Sequence, residues 1–206
     1  MEGGRKFVTV SYKIKKDTEK TITKKFEPVI NKINRIIQDN INSKNDLIHQ
    51  AVTQLMRAGG KRLRPLLLIL VGQLGDFTEN ETRLYQIAAG LEILHMATLI
   101  HDDIIDKAFL RRNQMTVNSQ FGSDIAVFIG DFLYNRAYKL YQNNLASNSI
   151  LRLNQTEALI CEGEVSQYQN RYNYKVTLYQ YLRRIRHKTA LLFGNIFYIG
   201  AYESGI

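Results

Sequence analysis

The feature that most constrains this chain is a proline-free segment from Thr82 to about Ala108 that is apolar almost all the way round a helix. Leu84, Ile87, Ala88, Leu91, Leu94, Ala97, Thr98 and Ile100 fill its body. A helix apolar on most sides has no solvent face to offer and belongs in the middle of a bundle. The segment ends in LIHDDIID, residues 99–106, so three carboxylates lie one turn apart on an otherwise apolar helix. Burying an ionised group costs several kcal/mol unless a counter-charge or hydrogen bonds compensate. The position of these aspartates therefore calls for a cation.

The rest of the chain fits a bundle around that helix. At 206 residues it is long enough for one domain with a substantial core, and 45% of it is hydrophobic. Only Pro28 and Pro65 interrupt it, and β-patterns are weak throughout. Periodicity predicts helices at about 18–40, 45–58, 65–72, 82–108, 124–144, 149–170 and 177–202. The second ends at Gly59-Gly60, and Pro65 opens the third. Gly75-Asp76 reads as a turn and 109–122 as a basic, polar loop. The expected architecture is all-α, a single-domain helical bundle around a central apolar cavity, with residues 1–16 as a peripheral segment and 17–206 as the helical domain.

The formal net charge is +9, much of it in Lys13, Lys15, Lys16, Lys20, Lys24 and Lys25, which read as a solvated tail or helix face. With no zinc-ligand spacing and no aromatic ribonucleoprotein motif, nucleic acid is not an expected partner. The longest apolar run, Pro65 to Val71, is too short to span a bilayer, so at most peripheral membrane contact is expected. The N-terminus shows no apolar signal stretch, and the single Cys161 fits a reducing compartment; a cytoplasmic location is expected.

Asp102 and Asp106, four apart, share a helix face, with Asp103 beside them. Oxygen-only donors suit a hard ion such as Mg²⁺, which takes one or two carboxylates together with substrate phosphates and water. The competing reading is a polar helix end paired to Arg111 and Arg112. Gly59-Gly60-Lys61-Arg62-Leu63-Arg64-Pro65 is the second signal: glycines let backbone approach an anion, Lys61 is a point charge and Arg64 a planar fork. As a bare sequence it is equally a basic connecting loop. His95 lies two turns before Asp102 on the same face and, taken alone, reads as a satisfied core histidine. Lys188-Thr189 interrupts the apolar last helix, where the lysine either meets a phosphate or snorkels to solvent. Together these groups suit two diphosphates in an apolar interior, the setting for ionising an allylic diphosphate and forming a carbon–carbon bond.

GGKRLRP, LEILHMATLIHDDIID, FLRR, AVFIGDFLYNRA, CEGEVSQ and HKTALLFG stand in the order seen in the trans-isoprenyl diphosphate synthases, and over residues 59–194 the chain resembles that family. RYNYKVTLYQYLRRIRHKTA, residues 171–190, is similar to the catalytic component of bacterial two-component hexaprenyl and heptaprenyl diphosphate synthases. The resemblance implies that Lys61, Arg64, His95 and Arg112 bind isopentenyl diphosphate. It implies that Asp102 and Asp106 ligate Mg²⁺ with Asp103 assisting, and that Arg111, Lys188 and Thr189 contact an allylic diphosphate. Asp102, Asp103, Asp106, Arg111 and Lys188 would be the catalytic group.

The family's product tunnel would pass Ala97 and Thr98, roughly 7.5 Å of helix rise below Asp102. Their small size implies a medium or long product, unless Ala97 serves only close helix packing; a shorter geranylgeranyl-type product is the alternative. A homodimer, or a heterodimer with a small second subunit, is implied. Two departures stand out. Asn113, Met115 and Asn118 occupy the places where the family carries glycine, proline and histidine. There is also no Asp after Asp131, so the family's second aspartate-rich motif is absent, and Glu157, Glu162, Glu164 and Glu203 are not paired at metal spacing. The expectation is the N-terminal part of a longer enzyme lacking its C-terminal helices, inactive alone, or else a non-catalytic subunit that shapes the tunnel.

Overall fold

The computed structural model describes residues 24–206. The expected peripheral segment, the start of the first helix and four of the six N-terminal lysines lie outside the described residues. Helix α1 covers 24–41, followed by α2 (Asp46–Arg57), α3 (Leu63–Gly72) and the long α4 (Phe77–Ile105). A two-stranded hairpin follows, β1 (Leu110–Arg111) with β2 (Gln114–Met115), then α5 (Val117–Phe121), α6 (Ser123–Asn144) and α7 (Ser147–Gln169). The chain closes with α8 (Leu178–Ile185), a π-helical turn (Arg186–Ala190) and α9 (Leu191–Tyr202).

Helix α4 is the axis. Ile87, Ala88, Ala89, Ile93 and Ala97 along it are fully buried, and it packs against α3 and α6, with α9 behind α3 and α7 against α9. The core gathers Ile33 and Ile37 of α1, Leu68 and Ile69 of α3, Ile129 and Leu133 of α6, and Ile196 and Ile199 of α9. Each such side chain contributes roughly 1.5–3 kcal/mol on burial. At its base, buried Glu203 ties three elements. It pairs with Arg83 of α4 at 2.9 Å and accepts the Ala146 N–H at 3.0 Å.

Several boundaries differ from the sequence reading. Helix α4 begins five residues early because Phe77 packs edge-on against Tyr85, ring centres 6.3 Å apart. It stops at Ile105 rather than Ala108. Lys107 turns left-handed (φ 52), and the Ala108 and Lys107 N–H groups bond back to the Asp103 and Ile104 carbonyls. Helix α3 opens at Leu63, two residues before Pro65. The expected loop at 109–122 holds the hairpin and α5. Its turn residues Arg112 and Asn113 both have positive φ (51 and 61), the geometry of a two-residue hairpin turn. Asn113, where the resemblance implies glycine, is one of the few other residues that tolerates this conformation. The expected single helix at 177–202 is α8, the π turn and α9 in succession.

Candidate active site

The C-terminal end of α4 carries no basic residue in its last turn. Helix C-termini are electronegative because the last carbonyls point outward unpaired, so carboxylates there raise an already unfavourable potential. The structure answers this separately for each aspartate. Asp103 faces inward, 5% exposed. The hairpin folds Arg111 back onto it, with Nε 2.9 and 3.0 Å from the two carboxylate oxygens and Nη2 2.7 Å from Oδ1. That bond holds the Arg111 guanidinium firmly protonated, with burial working against it. Asp102 and Asp106 instead line a cleft of about 780 Å³ between the end of α4 and the end of α7, together with Glu164, Tyr168, Arg171 and Arg184. The three aspartates therefore do not share one environment, and among the described residues no three His, Cys, Asp or Glu side chains converge on one point as metal ligands.

On the neighbouring face, the α2–α3 turn presents the basic segment. Gly59 ends α2 with φ 64, and a Cβ on Gly60 would stand 3.1 Å from the Arg112 guanidinium, which donates to the Gly59 carbonyl. Glycine here lets the hairpin approach. Arg62, read from sequence only as part of a basic run, turns inward with φ 46. Its Nη1 lies 2.8 Å from Glu92 Oε1 and its Nε donates to Asn34 at 3.0 Å, so α1, α3 and α4 are pinned by one buried ion pair. The sequence signal for it was a single glutamate inside the apolar run of α4. With Arg62 turned in, Lys61 stays exposed and Arg64 lies half-buried.

Arg64 Nη1 lies 3.0 Å from His95 Nε2, and its guanidinium sits over the Phe193 ring of α9 at 5.7 Å. An arginine can only donate, so His95 Nε2 accepts and the imidazole is neutral. Burial first, and then Arg64, Arg112, Arg111 and Arg62 around it, push the His95 pKa down to about 3. Burial also lowers the Arg64 pKa, opposed by Glu92.

The structure thus brings Arg64, His95, Arg111 and Arg112 together beside α4, with Asp103 as the anchor for Arg111. Thr189 is exposed on the π turn, which also carries Lys188, and Thr189 does not line the aspartate cleft. The π turn packs on α7 where Gly163 leaves room: a Cβ there would meet His187 at 2.9 Å. Ala97 is fully buried, whereas Thr98 is exposed with its hydroxyl donating to the His95 carbonyl at 2.9 Å. The four late glutamates also separate. Glu164 lines the aspartate cleft, Glu162 a smaller adjoining pocket, and Glu203 the base of the bundle. Glu157 accepts from Tyr134 and Tyr138 at 2.7 Å each.

A helical bundle of this shape, with acidic and basic side chains gathered at the end of its central helix, defines the class of isoprenoid-synthase folds. The polyprenyl synthetase family model matches residues 45–206, and the chain belongs to that family. Heptaprenyl diphosphate synthase component 2 of Bacillus subtilis (strain 168) is 36% identical over 85% of this chain and 50% of that protein. Octaprenyl diphosphate synthase of Escherichia coli (strain K12) is 36% identical over 78% and 49%. The chain spans about half the length of the curated relatives it matches. Among solved structures, heptaprenyl diphosphate synthase from Staphylococcus aureus superposes with a TM-score of 0.84 at 34% identity, over 87% of this chain and 56% of that one. A polyprenyl synthase from Caulobacter crescentus CB15, complexed with calcium and isoprenyl diphosphate, gives 0.82 at 32% identity, over 89% and 55%. Among the described residues no helix is long and apolar enough to cross a membrane.

Proposed function

We propose that this chain supplies the isopentenyl diphosphate pocket and the first carboxylate motif of a Mg²⁺-dependent prenyltransferase. The enzyme would join isopentenyl diphosphate to an allylic diphosphate, building an all-trans polyprenyl diphosphate of the hexaprenyl or heptaprenyl class for a quinone side chain. The observation that carries the reading is the division of labour at the end of α4. Asp102 and Asp106 line one cleft at an electronegative helix end, and four basic or polar groups are held in place beside it.

In this reading Lys61, Arg64, His95 and Arg112 hold isopentenyl diphosphate. The neutral His95 accepts from Arg64 and so fixes the direction of its remaining donors. Arg111, oriented by Asp103, meets the allylic diphosphate with Lys188 and Thr189. The donor chemistry fits Mg²⁺: Asp102 and Asp106 supply hard oxygens to one cleft, leaving the other coordination positions to diphosphate and water. Bound there, Mg²⁺ would act as a Lewis acid on the departing diphosphate. The apolar body of α4 would keep water from the allylic cation, with Ala97 and Thr98 beside the growing product.

The relatives named component 2 support pairing with a small second subunit, and a homodimer is the other arrangement; the lone, exposed thiol of Cys161 suits the reducing cytoplasm. Incorporation of radiolabelled isopentenyl diphosphate, with and without a candidate small subunit, tests turnover. Calorimetry with inorganic diphosphate tests the site itself. Mg²⁺ is expected to add a diphosphate site to the metal-independent binding of the basic pocket, and Asp102→Ala is expected to abolish that Mg²⁺-dependent binding while leaving the helical circular dichroism intact. Undiminished binding in the variant would sink the assignment.

A further inference from the structure

The wall of the cleft facing the aspartates is basic in a way the family motifs did not mark. Arg171 sits in the turn just past α7, its backbone N–H bonded to the Tyr168 carbonyl at 3.2 Å. Its Nη2 reaches across to Asp106 Oδ1 at 3.1 Å, and its guanidinium lies 5.6 Å from the Tyr168 ring centre. Arg184 of α8, half-buried, lines the same cleft and also the adjoining pocket of about 240 Å³. Two arginines thus look onto Asp102 and Asp106 from the second wall, and one of them already holds Asp106.

This contact differs from the Arg111–Asp103 bond in a useful way. Its side chains are 49% and 61% exposed, and it rests on one hydrogen bond. Exposed, singly bonded pairs are weak and exchange readily. A guanidinium keeps its charge and matches phosphate oxygens with two parallel donors. An arginine released from Asp106 remains in the cleft as a cation able to take a phosphate group.

We propose that Arg171 exchanges partners during loading, deepening and resting on the reading of Asp102 and Asp106 as cation carboxylates. In the empty cleft Arg171 neutralises Asp106 at the electronegative end of α4. When a divalent cation and a diphosphate enter together, Asp106 turns to the cation, and Arg171, with Arg184, takes diphosphate oxygens. The metal alone must then displace a counter-ion, with Glu164 as the other carboxylate in the cleft, whereas metal with diphosphate gives Arg171 a stronger, two-oxygen partner. Arg171 therefore couples the two ligands, and each favours the other by the same factor.

The test is calorimetry on the full chain, titrating MgCl₂ alone and then inorganic diphosphate at saturating Mg²⁺. Wild type is compared with Arg171→Gln, with Arg183→Gln as a basic control from the adjoining pocket, and with Asp106→Asn. Arg171→Gln is expected to weaken diphosphate binding about tenfold, the scale of one lost charge-assisted hydrogen bond, and to leave Mg²⁺ alone binding as well or better. Arg183→Gln is expected to change neither, and melting temperatures to stay level. Wild-type diphosphate affinity in Arg171→Gln overturns the exchange and leaves the carboxylate reading standing. Weaker binding of Mg²⁺ alone in Arg171→Gln also overturns it, since Arg171 would then be a structural tie. If wild type shows no Mg²⁺-dependent diphosphate binding, or Asp106→Asn retains it, the carboxylate reading falls and takes the exchange with it.

Discussion

Two faces meet along the last turns of α4, and they are built to opposite rules. On the face toward α3 and the hairpin, four arginines have internal partners, Arg62 with Glu92, Arg64 with His95, Arg111 with Asp103 and Arg112 with the Gly59 carbonyl, while Lys61 stays exposed. On the face toward α7 and α8, Asp102 and Asp106 border an open cleft whose far wall reaches Asp106 through the exposed Arg171. Helix α8 on that side buries no residue at all. The first face has its cations oriented before any anion arrives, so the ordering cost is met during folding. The second is left adjustable. Substitutions on the first face are therefore expected to cost stability, and those on the second to cost binding alone.

The largest expected effect is at Glu92. Glu92→Ala strands the Arg62 guanidinium, whose side chain is 5% exposed, and breaking one partner of a buried pair costs about 3–5 kcal/mol. For a chain of this size each kcal/mol moves the melting temperature by about 2–4 °C, so a drop of about 6–20 °C should appear in a thermal melt. The double variant Arg62→Met with Glu92→Leu should recover most of it. A loss below about 1 kcal/mol in Glu92→Ala would mean that the pair behaves like a surface contact, and the contrast between the faces would fail.

Next comes a comparison within one motif. Asp103→Asn removes the charge that holds Arg111 at two oxygens, and hydrogen bonds to charged groups contribute about 1.5–3 kcal/mol. Asp106→Asn touches only a half-exposed pair and should stay within about 0.5 kcal/mol of wild type. Urea unfolding of the two variants measures the difference. Equal losses would show that three residues of sequence separation do not divide the faces.

That division was only partly legible beforehand. The 3.6-residue period places Asp102 and Asp106 on one face, and the family motifs supply the basic partners. Which aspartate turns inward depends on the hairpin returning Arg111 to Asp103, a tertiary event with no local signature. Asn113 in a glycine place concealed the turn that makes this return possible. Arg62 was legible as basic but not as buried, because its partner lies 30 residues away on α4. The π turn at Arg186–Ala190 had no sequence cue. The central place of helix α4 was legible, though not its two ends, since an apolar surface on most sides of a helix leaves only one place in a bundle.

The smallest expected effect, at His95, probes whether the organised face is held by neutrality as well as by charge. His95 is kept neutral by burial and by the four arginines around it, its pKa lowered from 6.5 to about 3. The unfolded chain takes up a proton at this histidine below pH 6.5, and the folded chain does not until about pH 3. The unfolded state therefore binds more protons in that window, and the stability His95 gives above pH 6.5 is lost as pH falls. From pH 7.5 to 5.5 this linkage costs wild type about 1.4 kcal/mol. His95→Gln keeps an acceptor for Arg64 but cannot titrate, so the two pH profiles should diverge by about that amount, wild type falling faster. Parallel profiles would show that the imidazole charges freely in the folded chain. Arg64 would then have no fixed acceptor, and the basic face would be as adjustable as the cleft beside it.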